Sequence, residues 1–304
     1  MYEITDENFK KQIVFLLNNN WTGKSDMYFP LQNSVNIEKR YLFKLRNFQY
    51  IFYKKNTVDT KRAILFLFLD KHGKNKAVII LKDFTIYSLN INCPDEYYMS
   101  SIFDISYVEN EICIYDTFCI SGRKINRYCY IDRISEAETF KHNISETEIK
   151  LDTTTYTTDI STYFDNFEEK DEIFMIPNDL PIITGVNYSC FKWKPASLIT
   201  FSLTVKESDE ILSPGDLELY STIFKNEIIF AKIHSSDPEG KKYIDNFKSL
   251  ENYKNGCIVD INVNDKIEIV GVNNFKTAPS TVRSIEKIMA IKKENLTLQE
   301  LNFN

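Results

Sequence analysis

A chain of 304 residues with 43% hydrophobic and 14% aromatic content is long enough for two domains or one large one and too apolar to be disordered throughout. Its formal net charge of -6 argues against a protein that coats nucleic acid by bulk electrostatics. The charge is uneven, however. Between Lys39 and Lys82 stand twelve Lys or Arg against Asp59 and Asp70, whereas Asn143 to Glu172 holds nine acids against Lys150 and Lys170. Such a front half can hold phosphate locally, although two solvated faces of opposite sign account for the counts equally well. The six cysteines, Cys93, Cys113, Cys119, Cys129, Cys190 and Cys257, show no CxxC pair and no histidine at zinc spacing. Reduced, mostly buried thiols of an intracellular protein are expected. The opening MYEITDE has no basic region or apolar core, so no secretory signal is expected. The longest apolar run, Ala63 to Leu69, has the length of a buried strand and is too short to span a bilayer.

In chain order, Phe9, Ile13, Leu16 and Leu17 fall on one stripe and predict a helix from Asp6 or Asn8 to Asn18. A short helix is expected from Lys39 to Arg46. Two β-rich runs, Tyr50 to Lys55 and Arg62 to Leu69, flank the segment Asn56 to Lys61. The stretch AVIILKDFTIYSL, within Lys76 to Leu89, predicts a hairpin that turns at Lys82-Asp83. From Lys141 to Lys170 the composition becomes polar, acidic and threonine-rich, and an irregular surface insertion is expected.

Phe191-Lys192-Trp193-Lys194-Pro195 alternates aromatic and cationic residues. In a strand the period of two sends both lysines to one face and both rings to the other. Two ammonium groups so placed can clamp a phosphate, because each is a point charge on a long stem. Lysines in solvent on an ordinary strand are the plainer reading of the same spacing. Beyond Thr200 five short strands are predicted: Phe201 to Val205, Leu217 to Ser221, Glu227 to Ile233, Cys257 to Val263 and Lys266 to Val272. Val282, Ile285, Ile288 and Met289 then mark an amphipathic helix from Thr281 to Lys293, capped by Ser280 or Thr281.

Several of these stretches, in this order, resemble a known family. FKWKPASLITF looks like the lysine-rich motif of mRNA guanylyltransferases, the capping-enzyme branch of the covalent nucleotidyltransferases that also includes DNA and RNA ligases. Phe29 to Ile37, FPLQNSVNI, resembles the family's FPGxQPVSL segment. Ile102 to Val108 stands where relatives have (V/L)-L-D-G-E-L-V, keeping Asp104 but with Ser106 for the glutamate. Ile112 to Asp116, Ile120 to Arg123 and Tyr130 to Ile134 are similar to the Y-L-I-F-D … N-G … x-x-E-R-L block. Its aromatic stacks on guanine, which makes Tyr115 the candidate here; a core strand tyrosine is the alternative. Ile176 to Thr184 stands where relatives have DGLIFT and keeps Asp179. Asn273 to Ser280 aligns with R-x-D-K-x-x-P-N, keeping Lys276 and Pro279 but with Asn273 and Phe275 for the arginine and aspartate.

The family's KxDGxR signature supplies a lysine that attacks the α-phosphate of GTP and an arginine that contacts the nucleotide. Aligned through Arg62, this chain reads Thr57-Val58-Asp59-Thr60-Lys61-Arg62. Asp59 and Arg62 remain, while Thr57 stands in the nucleophile's position. Lys55 lies two residues earlier on the same strand face and serves only if the backbone is shifted there. A threonine hydroxyl is a poor substitute for the amine, and each lost charge-stabilising contact typically costs about 3 kcal/mol in the transition state.

The resemblance therefore implies an α+β protein, with a nucleotidyltransferase-like domain of antiparallel sheets and helices over 1–200 and an OB-fold-like domain with a C-terminal helix over 201–304. It implies a guanylyltransferase-like protein of mRNA capping, impaired in catalysis, that keeps Arg62, Asp104, Tyr115, Asp179, Lys192, Lys194 and Lys276 for binding GTP or an RNA 5′ end or cap. An active enzyme using Lys55 or Lys54 is one alternative, and a structural subunit with no nucleotide affinity is another. GTP with Mg²⁺ or Mn²⁺ is the implied cofactor set. RNA triphosphatase, cap methyltransferase or RNA polymerase are the implied kinds of partner, with no membrane. The location would be nuclear for a cellular protein and cytoplasmic for a viral one.

Overall fold

The computed structural model describes residues 1–22, 29–56, 60–168, 171–208, 215–263, 267–273, 276 and 278–302. Strands outnumber helices among them, and the class is α+β. Chain contacts separate two units, Met1–Trp193 with Leu298–Asn304, and Lys194–Thr297. The tail falls with the first unit, whereas the sequence reading runs the second domain to the chain end. Two anchors explain its return: Leu301 is buried and Glu300 pairs with Lys39 at 2.9 Å.

The first unit is organised by the strand Lys61–Leu69. Its residues alternate between two apolar cores, which is why the sequence is hydrophobic without a break. Ala63, Leu65 and Leu67 join Tyr53, Phe103, Tyr115 and Tyr130 in one core, while Ile64, Phe66 and Phe68 join Ile13, Leu17 and Trp21 in the other. The strand pairs antiparallel with Asn75–Leu81 on one side and Ser101–Val108 on the other. Ser101–Val108 continues into Glu111–Ile120, and Asn75–Leu81 into Ile86–Leu89, so the expected hairpin forms around Lys82-Asp83. The helix Glu7–Trp21 covers one face and is capped by Asp6, whose carboxylate accepts from the backbone N–H groups of Asn8 and Phe9. It outruns the predicted end at Asn18 because Trp21 is itself core, stacked on Phe118 and donating to the Pro30 carbonyl at 3.0 Å.

A second, five-stranded sheet runs in the order Tyr156–Thr157, Tyr50–Asn56, Asp171–Pro177, Gly185–Trp193 and Gln32–Asn36. The helix Tyr130–His142 packs Tyr130, Ile134, Ala137 and Phe140 into the same core as the first sheet. Arg133 on this helix is 1% exposed. It donates to Asp116 through Nε at 2.8 Å and a terminal nitrogen at 3.1 Å, and to the Tyr128 carbonyl at 2.6 Å. Asp116 and Arg133, both in the block that carries the resemblance, thus tie strand to helix.

The segment expected to be an irregular insertion is ordered. Lys150–Thr153 pairs parallel with Glu111–Ile120 of the large sheet, Tyr156–Thr157 pairs with Tyr50–Asn56 of the smaller one, and Ile160–Tyr163 forms a 3₁₀ turn. Its few apolar side chains decide this: Ile149, Ile160 and Tyr163 are buried, and the Tyr163 hydroxyl donates to the Phe52 carbonyl at 3.1 Å. Low hydrophobic content hid a segment held by a few well-placed residues.

In the second unit all five predicted strands are present, in the order Asn226–Ile233, Leu217–Ile223, Phe201–Glu207, Cys257–Val263, Ile267–Val272, with antiparallel pairing throughout. A helix not foreseen from the sequence, Pro238–Lys248, follows Asn226–Ile233 in the chain and precedes Cys257–Val263, burying Ile244 and Phe247. This is an OB-like curled sheet. The C-terminal helix Val282–Glu294 is capped by Thr281, whose hydroxyl accepts from the Ser284 N–H. Lys292 on that helix donates to the Ala196 and Ile199 carbonyls and to Asn262 Oδ1 at 2.6–2.9 Å. Among the described residues no helix is long and apolar enough to cross a membrane.

Candidate active site

Within the first unit, the strand Tyr50–Asn56 turns two adjacent lysines to opposite sides, as the period of two requires. Lys54 reaches Asp171 at 3.0 Å and the Asn166 carbonyl at 2.7 Å, and is thereby engaged. Lys55 points to the other sheet. It is 7% exposed, and its Nζ lies 4.2 Å from the ring centroid of Tyr115 and 5.9 Å from that of Phe174. Burial brings its amine down to about 8, with Asp104 acting against the shift and Arg62 adding to it. At pH 7 about a tenth of such an amine is neutral, against fewer than about one in a thousand for an ordinary lysine. A desolvated amine of this kind is the form in which lysine serves as a nucleophile.

Around it stand Arg62 and Asp104 from the large sheet. The two are bidentate, Nε to Oδ1 at 3.1 Å and a terminal nitrogen to Oδ2 at 2.5 Å. Arg62 also donates to the Gln32 carbonyl at 2.6 Å and to Asn33 Oδ1 at 3.2 Å, and so reaches across to the smaller sheet. Burial works against its charge, but Asp104 outweighs this and holds the guanidinium above its ordinary value. On the smaller sheet Glu172 stands directly opposite Lys55 in the strand pair, 4% exposed, with Lys192 Nζ on its two carboxylate oxygens at 3.1 and 3.3 Å. Tyr115 is buried too, and burial drives its hydroxyl far above the usual phenol range. Ser106 Oγ donates to that hydroxyl at 3.3 Å.

The fold thus gathers Lys55, Arg62, Asp104, Tyr115 and Lys192 in one place. Glu172 belongs with them and was not singled out from the sequence. Its signal was available in DEIFMI at 171–176, an acid-led apolar run whose alternation sends Glu172 and Phe174 to the side of Lys55. Asp179, the acid expected at this point, lies past the end of the strand Asp171–Pro177, where it accepts from Asn178 Nδ2 at 3.2 Å. Thr57 and Asp59 lie outside the described residues. The strand Gly185–Trp193 ends before Lys194, so strict alternation governs only Lys192. Lys194 and Lys276 belong to the second unit. There Lys276 Nζ meets Ser202 Oγ and lies 3.6 Å from Asp260, which also accepts from Asn273 Nδ2 at 2.9 Å.

No family model matches the sequence, and no curated protein matches it. Solved structures do. The ligase domain of LigD from M. tuberculosis is 10% identical, with 81% of this chain and 94% of that one covered and a TM-score of 0.35. A mycobacterial DNA ligase D complexed with ATP and MES is 9% identical over 81% and 95%, with a TM-score of 0.38. The ATP-dependent DNA ligase from bacteriophage T7, in complex with ATP, is 9% identical over 80% and 98%, with a TM-score of 0.33. At such identities, activity has to be read from the residues of this chain.

The Mg²⁺ or Mn²⁺ implied by the resemblance would need donors that the site's carboxylates do not leave open. Asp104 is held by Arg62, Glu172 by Lys192 and Asp116 by Arg133, and no cluster of three His, Cys, Asp or Glu among the described residues could hold a metal ion. The described side chains do not fit a protein-held metal. What they offer is a low-pKa amine with Arg62 acting on it and Lys192 held on the facing Glu172.

Proposed function

We propose that the first unit is a covalent nucleotidyltransferase module in which Lys55 is the nucleophile, and that it transfers GMP in the manner of a capping enzyme. The observation that carries this reading is the position of Lys55: buried, brought to about 8, with Arg62 acting on its charge and Glu172, which Lys192 holds, opposite it in the strand pair. In the step proposed, neutral Nζ attacks the α-phosphorus of the nucleoside triphosphate. A nitrogen–phosphorus bond forms, the bond to the bridging oxygen of the β-phosphate breaks, pyrophosphate leaves with that electron pair, and the extra amine proton passes to solvent. Arg62 and Lys192 are the groups available to meet the phosphates as that charge moves. The choice of GTP over ATP rests on the FKWKP resemblance alone.

A second reading, a binding or structural module without transfer, is favoured by the engagement of those same cations with Asp104 and Glu172. One experiment separates the two. The purified protein is incubated with GTP or ATP in Mg²⁺ or Mn²⁺, denatured, and weighed intact. A mass gain of one GMP, acid-labile, mapped to Lys55 and absent from Lys55→Ala but present in Lys54→Ala, is expected. An AMP adduct at Lys55 would keep the module and replace the nucleotide. No adduct with either nucleotide would leave the binding reading.

A further inference from the structure

Tyr115 is the residue for which the resemblance implies stacking on a nucleobase, and such stacking needs an open ring face. The ring here is 6% exposed. Its centroid lies 4.2 Å from Lys55 Nζ and 5.3 Å from the ring of Tyr53, tilted by 33°. Tyr53 is stacked in turn on Phe174 at 5.3 Å, so the ammonium rests at the edge of an aromatic cluster. The ring face that a base would use is spent on the amine.

We infer that Tyr115 is a positioning residue for Lys55, its ring seating the ammonium by a cation–π contact that aims the amine, and that a nucleobase is held on other groups. The inference rests on the reading of Lys55 as nucleophile. Desolvation strengthens the attraction between a cation and a ring face, because no water competes for the charge. The other charged or titratable groups that bear on the amine are Asp104, Arg62, Cys113 and Glu172. Both carboxylates are shared with cations, Arg62 and Lys192, and of the two rings near the amine Tyr115 at 4.2 Å is much nearer than Phe174 at 5.9 Å. Ser106 donates to the Tyr115 hydroxyl and so holds the far end of the ring in place.

The test needs no nucleotide. The protonation midpoint of Lys55 is read by competitive acetylation with acetic anhydride across pH, with peptide masses quantified. Tyr115 is replaced by phenylalanine and by phenylalanines carrying one, two and three ring fluorines, which weaken the π face while preserving shape. Tyr115→Phe is expected to leave the midpoint near 8. Successive fluorines are expected to lower it stepwise, by about one pH unit over the series, since the ammonium loses its partner. Tyr115→Leu should fall at the low end. A midpoint that stays constant along the fluorine series, or rises, overturns the inference even if a nucleotide adduct forms. A stepwise fall without any adduct supports the seat and removes the nucleotidyltransferase reading, so the two failures are distinguishable.

Discussion

Glu172 and Lys55 stand directly opposite each other in an antiparallel strand pair, yet the carboxylate of Glu172 is held by Lys192 from the neighbouring strand at 3.1 Å. A lysine facing a free carboxylate across a sheet would be driven upward in pKa. Here the anion is shared, and burial prevails.

Removing that anion should push the amine further down. Glu172→Gln is expected to shift the pH profile of Lys55 labelling, and of adduct formation, to lower pH. Lys192→Met should shift both to higher pH by withdrawing a cation from Glu172. Profiles that move together in one direction would contradict this arrangement.

The stability linkage of Lys55 has a definite sign. Its folded value, about 8, lies below the ordinary lysine value of 10.5, so between those limits the folded state binds fewer protons than the unfolded one. Stability therefore rises with pH across that window, and the burial cost is full below about 8. Lys55→Met should be more stable than the parent by about 1–3 kcal/mol at pH 7, an advantage that fades towards pH 10.5, by urea unfolding at each pH.

Arg133→Met breaks a buried pair from one side and should destabilise the first unit by about 3–5 kcal/mol, measured by denaturant midpoint. Burial already lifts the Asp116 carboxyl, with Arg133 opposing the lift. Without Arg133 its folded value rises further above the unfolded one, so the variant's deficit should grow as pH climbs above the ordinary carboxylate range. Asp116→Leu combined with Arg133→Met should cost less than the two single changes added.

In the second unit Asp216 accepts from the Ser235 N–H at 2.7 Å, the Ser235 hydroxyl at 2.8 Å and His234 Nδ1 at 2.7 Å, and these bonds hold its carboxyl down at about 2. Its contribution is complete above the unfolded value near 4 and is lost as pH falls through about 2. Asp216→Asn should flatten the acid limb of unfolding monitored on residues of the second unit, and leave stability at pH 2 nearly unchanged.

Much of the strand layout was legible in the sequence because alternation is strong where a strand has an apolar face. Phe201–Glu207 and Cys257–Val263 are examples, and the unbroken run Ala63 to Leu69 fits a strand buried on both sides. The segment 141–163 was not, since Ile149, Ile160 and Tyr163 are too sparse to register against its threonines and acids. The site was legible in part. Aligning on Arg62 put Thr57 in the nucleophile's position and left Lys55 as an alternative, because the state of an amine depends on desolvation, which no linear spacing reports; the burial of Lys55 is visible only in the fold. Glu172 escaped for a related reason: its meaning lies in its cross-strand neighbour, and that pairing becomes visible only when the strands are assembled.

The ordering of 150–157 has a mechanical consequence. Only Thr154 and Thr155 separate the strand bonded beside Glu111–Ile120 from the strand bonded beside Tyr50–Asn56, and the Thr154 N–H is itself tied to the Ile114 carbonyl at 2.9 Å. The two sheets are therefore bound like a book along that spine. Across the site the covers meet through the bonds of Arg62 to Gln32 and Asn33, a clasp that is not covalent, and through the apolar core that Tyr53 shares with Tyr115. A phosphate that drew the guanidinium away would release the polar clasp while the spine and the shared core held.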